Sequence, residues 1–278
     1  MATARPQVPA DTAASPAPLR PSPAPGDSYV QSFARGLEVI RSFSAQSPRQ
    51  TLSEVAGRTG LTRAGARRIL LTLQTLGYVE SDGKLFRLTA RILDLGFAYL
   101  SSLPIWNLAE PVMEELVGQI KESCSAAVLD GTDIVYVLRV PTHKIMSISL
   151  GVGSRLPAYC TSMGRMLLSA LPHDAMRQVL QASDRAARTR HTVTDMDELA
   201  ARIALVRKQG WSLVDQELEE GLVSMAAPIT DRTGQTVAAL NISGQANRTS
   251  AKVMQETMLP PLLAAAQAIS QRLSLQRN

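Results

Sequence analysis

Cysteine, histidine and aromatic residues are all scarce in this chain of 278 residues, which has two cysteines, three histidines and only 4% aromatics. Cys124 and Cys160 lie far apart and form no CxxC pair, so they specify neither a disulfide framework nor a zinc site, and reduced thiols are expected. His143, His173 and His191 stand in no HExxH arrangement, and no P-loop or Ser-His-Asp signature accompanies them. No metal and no cofactor are expected on these grounds. No apolar run reaches the roughly 18 residues of a membrane-spanning helix, and the N-terminus lacks the apolar core of a signal peptide. The expectation is a soluble, cytoplasmic protein that makes no membrane contact. Internal repeats are also missing.

What is present suffices for a globular fold. With 45% hydrophobic and 19% charged residues, the chain can bury the cores of about two domains and is neither disordered overall nor collagen-like. The net charge of +5 is unevenly spread. Residues 29–92 carry ten Lys/Arg against four Asp/Glu, residues 1–28 carry two of each, and residues 93–278 carry 17 against 18. All the positive excess therefore sits in one segment, where a polyanionic partner would be met.

Residues 1–28 hold seven of the 16 prolines and seven alanines, which reads as a disordered or polyproline-like tail. Helical periodicity begins near Tyr29, with Val30, Phe33, Leu37, Ile40 and Phe43 on one face. Thr51-Leu52-Ser53-Glu54 has the form of a capping box opening a second helix that runs to about Thr59. Gly60 suits the left-handed position that ends it, and Thr62 is a fresh N-cap two residues later. The third helix, from Arg63 to about Leu76, turns Ala66, Ile69, Leu70, Leu73 and Leu76 inward and leaves Arg63, Arg67 and Arg68 clustered outside. Residues 78–81 and 84–88 then read as a hairpin with a type I′ turn at Asp82-Gly83, and Thr89 caps a linker helix over 89–103.

From residue 104 the pattern becomes mixed. A helix is expected over 105–122, with Pro111 in a first turn or at a kink, then strands at 125–129, 134–140 and 146–150. A loop at 151–160 leads to a helix at 162–170 capped by Thr161, followed by helices near 174–181 and 195–209. Strands at 211–217, 222–229 and 235–243 precede a final helix at 250–273. The fold class expected is α+β: a winged helix-turn-helix (29–88), a linker helix (89–103) and an α/β domain (104–275).

Helix, helix, tight turn, helix and β-wing is the layout of a DNA reader whose third helix enters the major groove. Thr62, Arg63, Ala64, Arg67 and Arg68 fall in the part of that helix that meets base edges, where Arg can bind guanine with two hydrogen bonds. Lys84 and Arg87 on the wing are placed for phosphates. A winged-helix scaffold that joins proteins without touching DNA is the alternative, and it predicts no salt-sensitive shift on any duplex.

In the second domain, the start of the helix at Thr161, Ser162, Met163 and Gly164 offers backbone N–H groups and a positive dipole end to an anion. Asp215, Glu217, Ser224, Asn241 and Ser243 on the strands supply hydroxyl and carbonyl recognition, and Arg139 and His143 are candidate carboxylate partners. A competing reading makes Cys160 a nucleophile activated by the adjacent helix start and by His143, giving a thiol hydrolase.

Runs such as Ser32-Phe33-Ala34-Arg35-Gly36-Leu37, Leu52-Ser53-Glu54-Val55-Ala56 and Gly60-Leu61-Thr62-Arg63-Ala64-Gly65 resemble the DNA-binding domain of IclR-type bacterial regulators. Tyr159-Cys160-Thr161-Ser162-Met163-Gly164-Arg165, Asp215-Gln216-Glu217 and Asn241-Ile242-Ser243-Gly244 resemble the family's effector domain, and the likeness covers about 29–275. Together with Ile105-Trp106-Asn107-Leu108-Ala109, the first of these runs is most similar to the subgroup of PcaR, PcaU and PobR, which implies control of protocatechuate, 4-hydroxybenzoate or β-ketoadipate catabolism. Departures are Ser162 where Ala is common and Asn241 where Ser is common. The resemblance implies a GAF-like sensor domain that binds a small organic acid and carries much of the oligomer interface. It also implies a homodimer or homotetramer on double-stranded DNA with a near-palindromic operator, and no enzyme activity.

Overall fold

The computed structural model describes residues 26, 28–44, 46–101, 105–142 and 150–275, the side chains of 100, 101 and 105 aside. They form two units, one within residues 22–104 and one within 105–278. Most of the proline-rich stretch, His143 and nearly all of the strand expected at 146–150 fall outside the described residues.

The first unit contains helix α1 (Gln31–Ser42), a short strand β1 (Gln50–Thr51), α2 (Leu52–Thr59), α3 (Arg63–Thr75) and the hairpin β2 (Val79–Ser81) and β3 (Leu85–Leu88). Local chemistry sets the boundaries. The Thr51 hydroxyl accepts from the Glu54 amide while the Glu54 carboxylate accepts from the Thr51 amide at 2.7 Å, closing the capping box. Gly60 ends α2 at φ 65°, and Thr62 starts α3 by accepting from the Gly65 amide at 3.1 Å, a cap that contributes about 1 kcal/mol. Val39, Val55, Ala56, Ala66, Leu70, Leu73 and Val79 form the buried core.

Three details differ from the sequence reading. Helix α3 stops at Thr75, so Leu76 is its exposed C-cap rather than a core residue. The hairpin register pairs Ser81 with Phe86, which centres the turn on Gly83 and Lys84; only Gly83 has positive φ, at 98°, so the turn is not type I′. The Asp82 carboxylate instead accepts from the amides of Leu85 and Lys84, and these bonds hold its pKa below the usual carboxylate value. Finally β1, too short to show any period, pairs with β3 and makes a three-stranded sheet of order β1-β3-β2.

Beyond the wing, Thr89 accepts from the Arg91 amide and opens a 3-10 turn (Ala90–Ile92) that leads into α4 (Leu93–Ser101). Leu93, Leu95, Phe97 and Tyr99 are all exposed on it.

The second unit is built on one antiparallel sheet of order β6-β5-β4-β9-β8-β7. Helix α5 (Ile105–Ile120) precedes β4 (Ser123–Asp130), β5 (Asp133–Val140) and β6 (Arg155–Pro157), the last replacing part of the expected loop. Then follow α6 (Ser162–Ala170), α7 (His173–Ala182), α8 (Met196–Gln209), β7 (Ser212–Asp215), β8 (Leu222–Thr230) and β9 (Thr236–Gln245). Pro111 lies in the interior of α5, where it removes one helical bond. The C-terminal helix comes in three pieces: α9 (Ala251–Val253), a π-helical turn (Met254–Met258) and α10 (Leu259–Leu275). Pro260 and Pro261 cannot donate to the carbonyls four residues back, and the wider turn, with the Leu259 amide bonded to the Met254 carbonyl, accommodates that loss.

Helices α6, α7 and α8 bury Met163, Leu167, Val179, Leu180, Leu199 and Ile203 against Ala127, Ala226 and Ala239 of the sheet. Small residues on the strands let α6 lie close. Met113, Met163, Met166 and Met225 are buried in the core.

Candidate nucleic-acid interface and effector site

In the first unit, the cap at Thr62 fixes where α3 begins and therefore which residues ride on its first two turns. Arg63, Ala64, Arg67 and Arg68 are exposed there, and none of the three arginines has an acidic partner among the described residues. Three other cations of this unit are engaged: Arg87 pairs with Glu80 across the hairpin, Arg58 donates to the Ser47 hydroxyl at 2.6 Å, and the Arg91 guanidinium lies 5.7 Å from the Tyr78 ring centroid, whereas Arg35 and Arg41 are exposed on α1. Lys84 is exposed at the tip of the wing. Arg49, which the sequence reading passed over, is exposed beside Asp82 and lines a small groove with Arg87. Three exposed arginines thus share the first two turns of α3, with Arg49 and Lys84 exposed at the wing. Arg67→Ala should weaken binding to specific duplex DNA by roughly 10–100-fold without changing thermal stability, as read by mobility shift and melting; unchanged affinity contradicts the assigned role.

In the second unit, register aligns polar side chains across the sheet. Arg139 on β5 faces Ser125 on β4, which faces Asn241 on β9, which faces Ala226 on β8 and then Ser212 on β7. Two residues along, Ser123, Ser243, Ser224 and Val214 form the next row on the same face. Ala226, Ala127 and Ala239 belong to the core under α6, so this is the face that α6 covers. Arg139 is half-buried, donates to the Ser125 hydroxyl at 3.4 Å and has no carboxylate at ion-pair distance among the described residues. Ser162, Ser212 and Asn241 are buried, and Ser162 Oγ, Ser212 Oγ and Asn241 Oδ1 have no hydrogen-bond partner among the described residues. Orphaned polar atoms of this kind are rare in folded interiors and mark a place for water or ligand.

The first turn of α6 approaches the same face. Thr161 accepts from the Gly164 amide at 3.2 Å and donates to the Pro157 carbonyl at 3.0 Å, while the amides of Ser162 and Met163 remain without partners among the described residues. Met163 itself is core.

Two expected contacts are corrected. Asp215 is exposed and pairs with Val223, one residue out of step with Ser224 and Ser243, so strand alternation turns it to the other face. Glu217 lies past the end of β7, only 3% exposed, and its two oxygens accept from Arg165 at 2.7 and 2.6 Å. It is an internal counter-ion.

The description bacterial transcriptional regulator IclR C-terminal matches residues 97–271, and the IclR helix-turn-helix domain matches residues 32–83. The chain belongs to the IclR family. This IclR-family regulator is 43% identical over 276 residues to the Pca regulon regulatory protein of Pseudomonas putida, covering 96% of this chain and 94% of that one. A solved structure from Rhodococcus sp. RHA1 is similar at TM-score 0.80 and 51% identity, covering 88% of this chain and 98% of that one. An IclR homologue from Microbacterium hydrocarbonoxydans, solved with 4-hydroxybenzoate, is similar at TM-score 0.78 and 25% identity over 87% of this chain and 99% of that one.

For this IclR-family chain Cys160 is fully buried, which disfavours a thiolate, and His143 lies outside the described residues. Burial pushes the Cys160 thiol up to about 11, against the helix-start effect that was to favour a thiolate. Its relatives are named as regulators. No helix among the described residues is long and apolar enough to cross a membrane. Ser123, Ser125 and Ser212 complete the polar rows; the alternation of small polar residues along β4 was the signal for Ser123 and Ser125, whereas Ser212 on β7 joins only through strand pairing.

Proposed function

We propose that this regulator controls genes of aromatic-acid catabolism, reading a near-palindromic operator as a dimer or tetramer and responding to an organic acid such as 4-hydroxybenzoate, protocatechuate or β-ketoadipate. The observation that carries the effector reading is Arg139, a half-buried cation with no acidic partner among the described residues, in the same row of the sheet as Asn241, whose buried Oδ1 has no partner among them either. A carboxylate would take the guanidinium in two charge-assisted hydrogen bonds, and a hydroxyl or carbonyl at the other end would be met by Asn241, Ser162, Ser224 or Ser243. The free amides of Ser162 and Met163 would stabilise negative charge nearby. The Pca regulon relative and the 4-hydroxybenzoate bound to the Microbacterium homologue support the same chemistry. Thermal-shift measurements against these acids should show stabilisation of about 2.7 kcal/mol at a hundredfold excess over Kd, and Arg139→Gln should remove it. No shift with any aromatic acid or aliphatic dicarboxylate defeats the reading.

The dimer reading rests on the first unit. Phe33 is 69% exposed on α1 and Phe97 is 68% exposed on α4, and a groove of about 910 Å³ is lined by α1, α3 and Leu95. A patch of this kind on a soluble protein marks a contact surface. Pairing two copies through the exposed faces of α1 and α4, leaving free the wall of the groove that holds Thr62 and Arg68, would present two α3 helices to half-sites about one helical turn (~34 Å) apart or a multiple of it. The scaffold alternative gives no role to the unpaired arginines of α3.

A further inference from the structure

Glu217 and Arg165 are among the few charged residues buried in the second unit, and neither lies in the polar rows of the sheet. All three guanidinium nitrogens of Arg165 are engaged: the two terminal nitrogens donate to Glu217, and Nε donates to the Tyr159 carbonyl at 2.9 Å. Glu217 is fixed in turn by three segments. Its carboxylate also accepts from the Val193 amide at 3.0 Å and from Arg202 of α8 at 3.3 Å, and its carbonyl accepts from the Thr192 hydroxyl at 2.6 Å. The residue before it, Gln216, is held at φ 58°, with its side chain accepting from the Gly221 amide.

We propose that Arg165 and Glu217 are positioning residues for the effector, their buried ion pair setting where the first turn of α6 meets it. The proposal rests on the effector reading above. Residues 158–165 are closed on themselves by the Thr161 cap, by the seat of Gly164 against Ala158, and by the bond from Arg165 to Tyr159. Arg165 ties that closed segment to the turn after β7, so a displaced Glu217 carries Ser162 and Met163 with it. Stability alone is a poor account of the pair, because a buried ion pair replaced by well-packed neutral side chains is often no less stable. A planar fork bound on two sides fixes an orientation that apolar packing leaves free.

The test uses the full chain, 4-hydroxybenzoate as the probe, and two variants. Arg165→Met combined with Glu217→Gln removes both charges; Arg165→Lys keeps the charge but replaces the fork with a point donor. Either variant that melts close to the wild type should bind 4-hydroxybenzoate roughly tenfold more weakly. In effector-free protein, amide hydrogen exchange over 158–166 should also accelerate while that of β8 and β9 stays unchanged. Wild-type affinity with wild-type exchange in a folded variant overturns the proposal. Should the wild type bind no organic acid, the effector reading falls by itself, and the exchange over 158–166 still decides whether the pair holds the segment.

Discussion

Replacing Gly164 with alanine is expected to destabilise the second unit by about 3 kcal/mol or more and to abolish the response to organic acids. Backbone conformation is not the reason; space is. A Cβ at this position would lie 2.1 Å from the Ala158 carbonyl oxygen, 2.3 Å from its Cα and 2.5 Å from the Thr161 hydroxyl. Two of these neighbours are backbone atoms of the segment that α6 caps, so relief requires the helix start to slide away, losing the Thr161 cap and shifting Ser162 and Met163 together. Thermal melting with and without 4-hydroxybenzoate checks this. A variant with the wild-type melting temperature and the wild-type shift shows that the contact is softer than the geometry requires.

Phe33→Asp combined with Phe97→Asp should abolish pairing through the first unit and weaken binding to operator DNA at least about 100-fold, because each half-site then binds without the effective concentration that linkage of the two reading heads supplies. Both rings are more than two-thirds exposed, so neither substitution empties the core formed by Val39, Val55, Leu70 and their neighbours. Binding to random duplex should keep its salt dependence, since the arginines of α3 are untouched. Analytical ultracentrifugation together with mobility shift reads both quantities. A dimer that persists in the double variant places the contact elsewhere.

The elements written in short-range chemistry were legible in the sequence. Thr51, Gly60, Thr62, Thr89 and Thr161 act as caps or stops where their residue types predict, and the longer strands fall within a residue or two of their periodic runs. What escaped depends on pairing between distant segments. Strands β1 and β6 have two and three residues, too few for a period, and exist because β3 and β5 offer them partners. The turn shifted by one residue because the hairpin register, anchored by Val79 opposite Leu88, outweighs the preference of Asp-Gly. Glu217 looked like a ligand contact because its partner Arg165 is 52 residues away and nothing local announces the pair. The polar row was half visible: Asn241 and Ser243 carried the family resemblance and Ser125 alternates with Ser123 on β4, whereas Ser212 acquires meaning only from the strand order.

The core of the first unit draws on residues between Val39 and Leu88, with its helix boundaries fixed by neighbours three or four positions away. Such contacts form quickly, and N-terminal domains fold first as a chain leaves the ribosome. The DNA-reading head can therefore be finished while the sensor is still being translated, and at that moment only its lack of a second copy would keep a half-made regulator from occupying a promoter it cannot yet control.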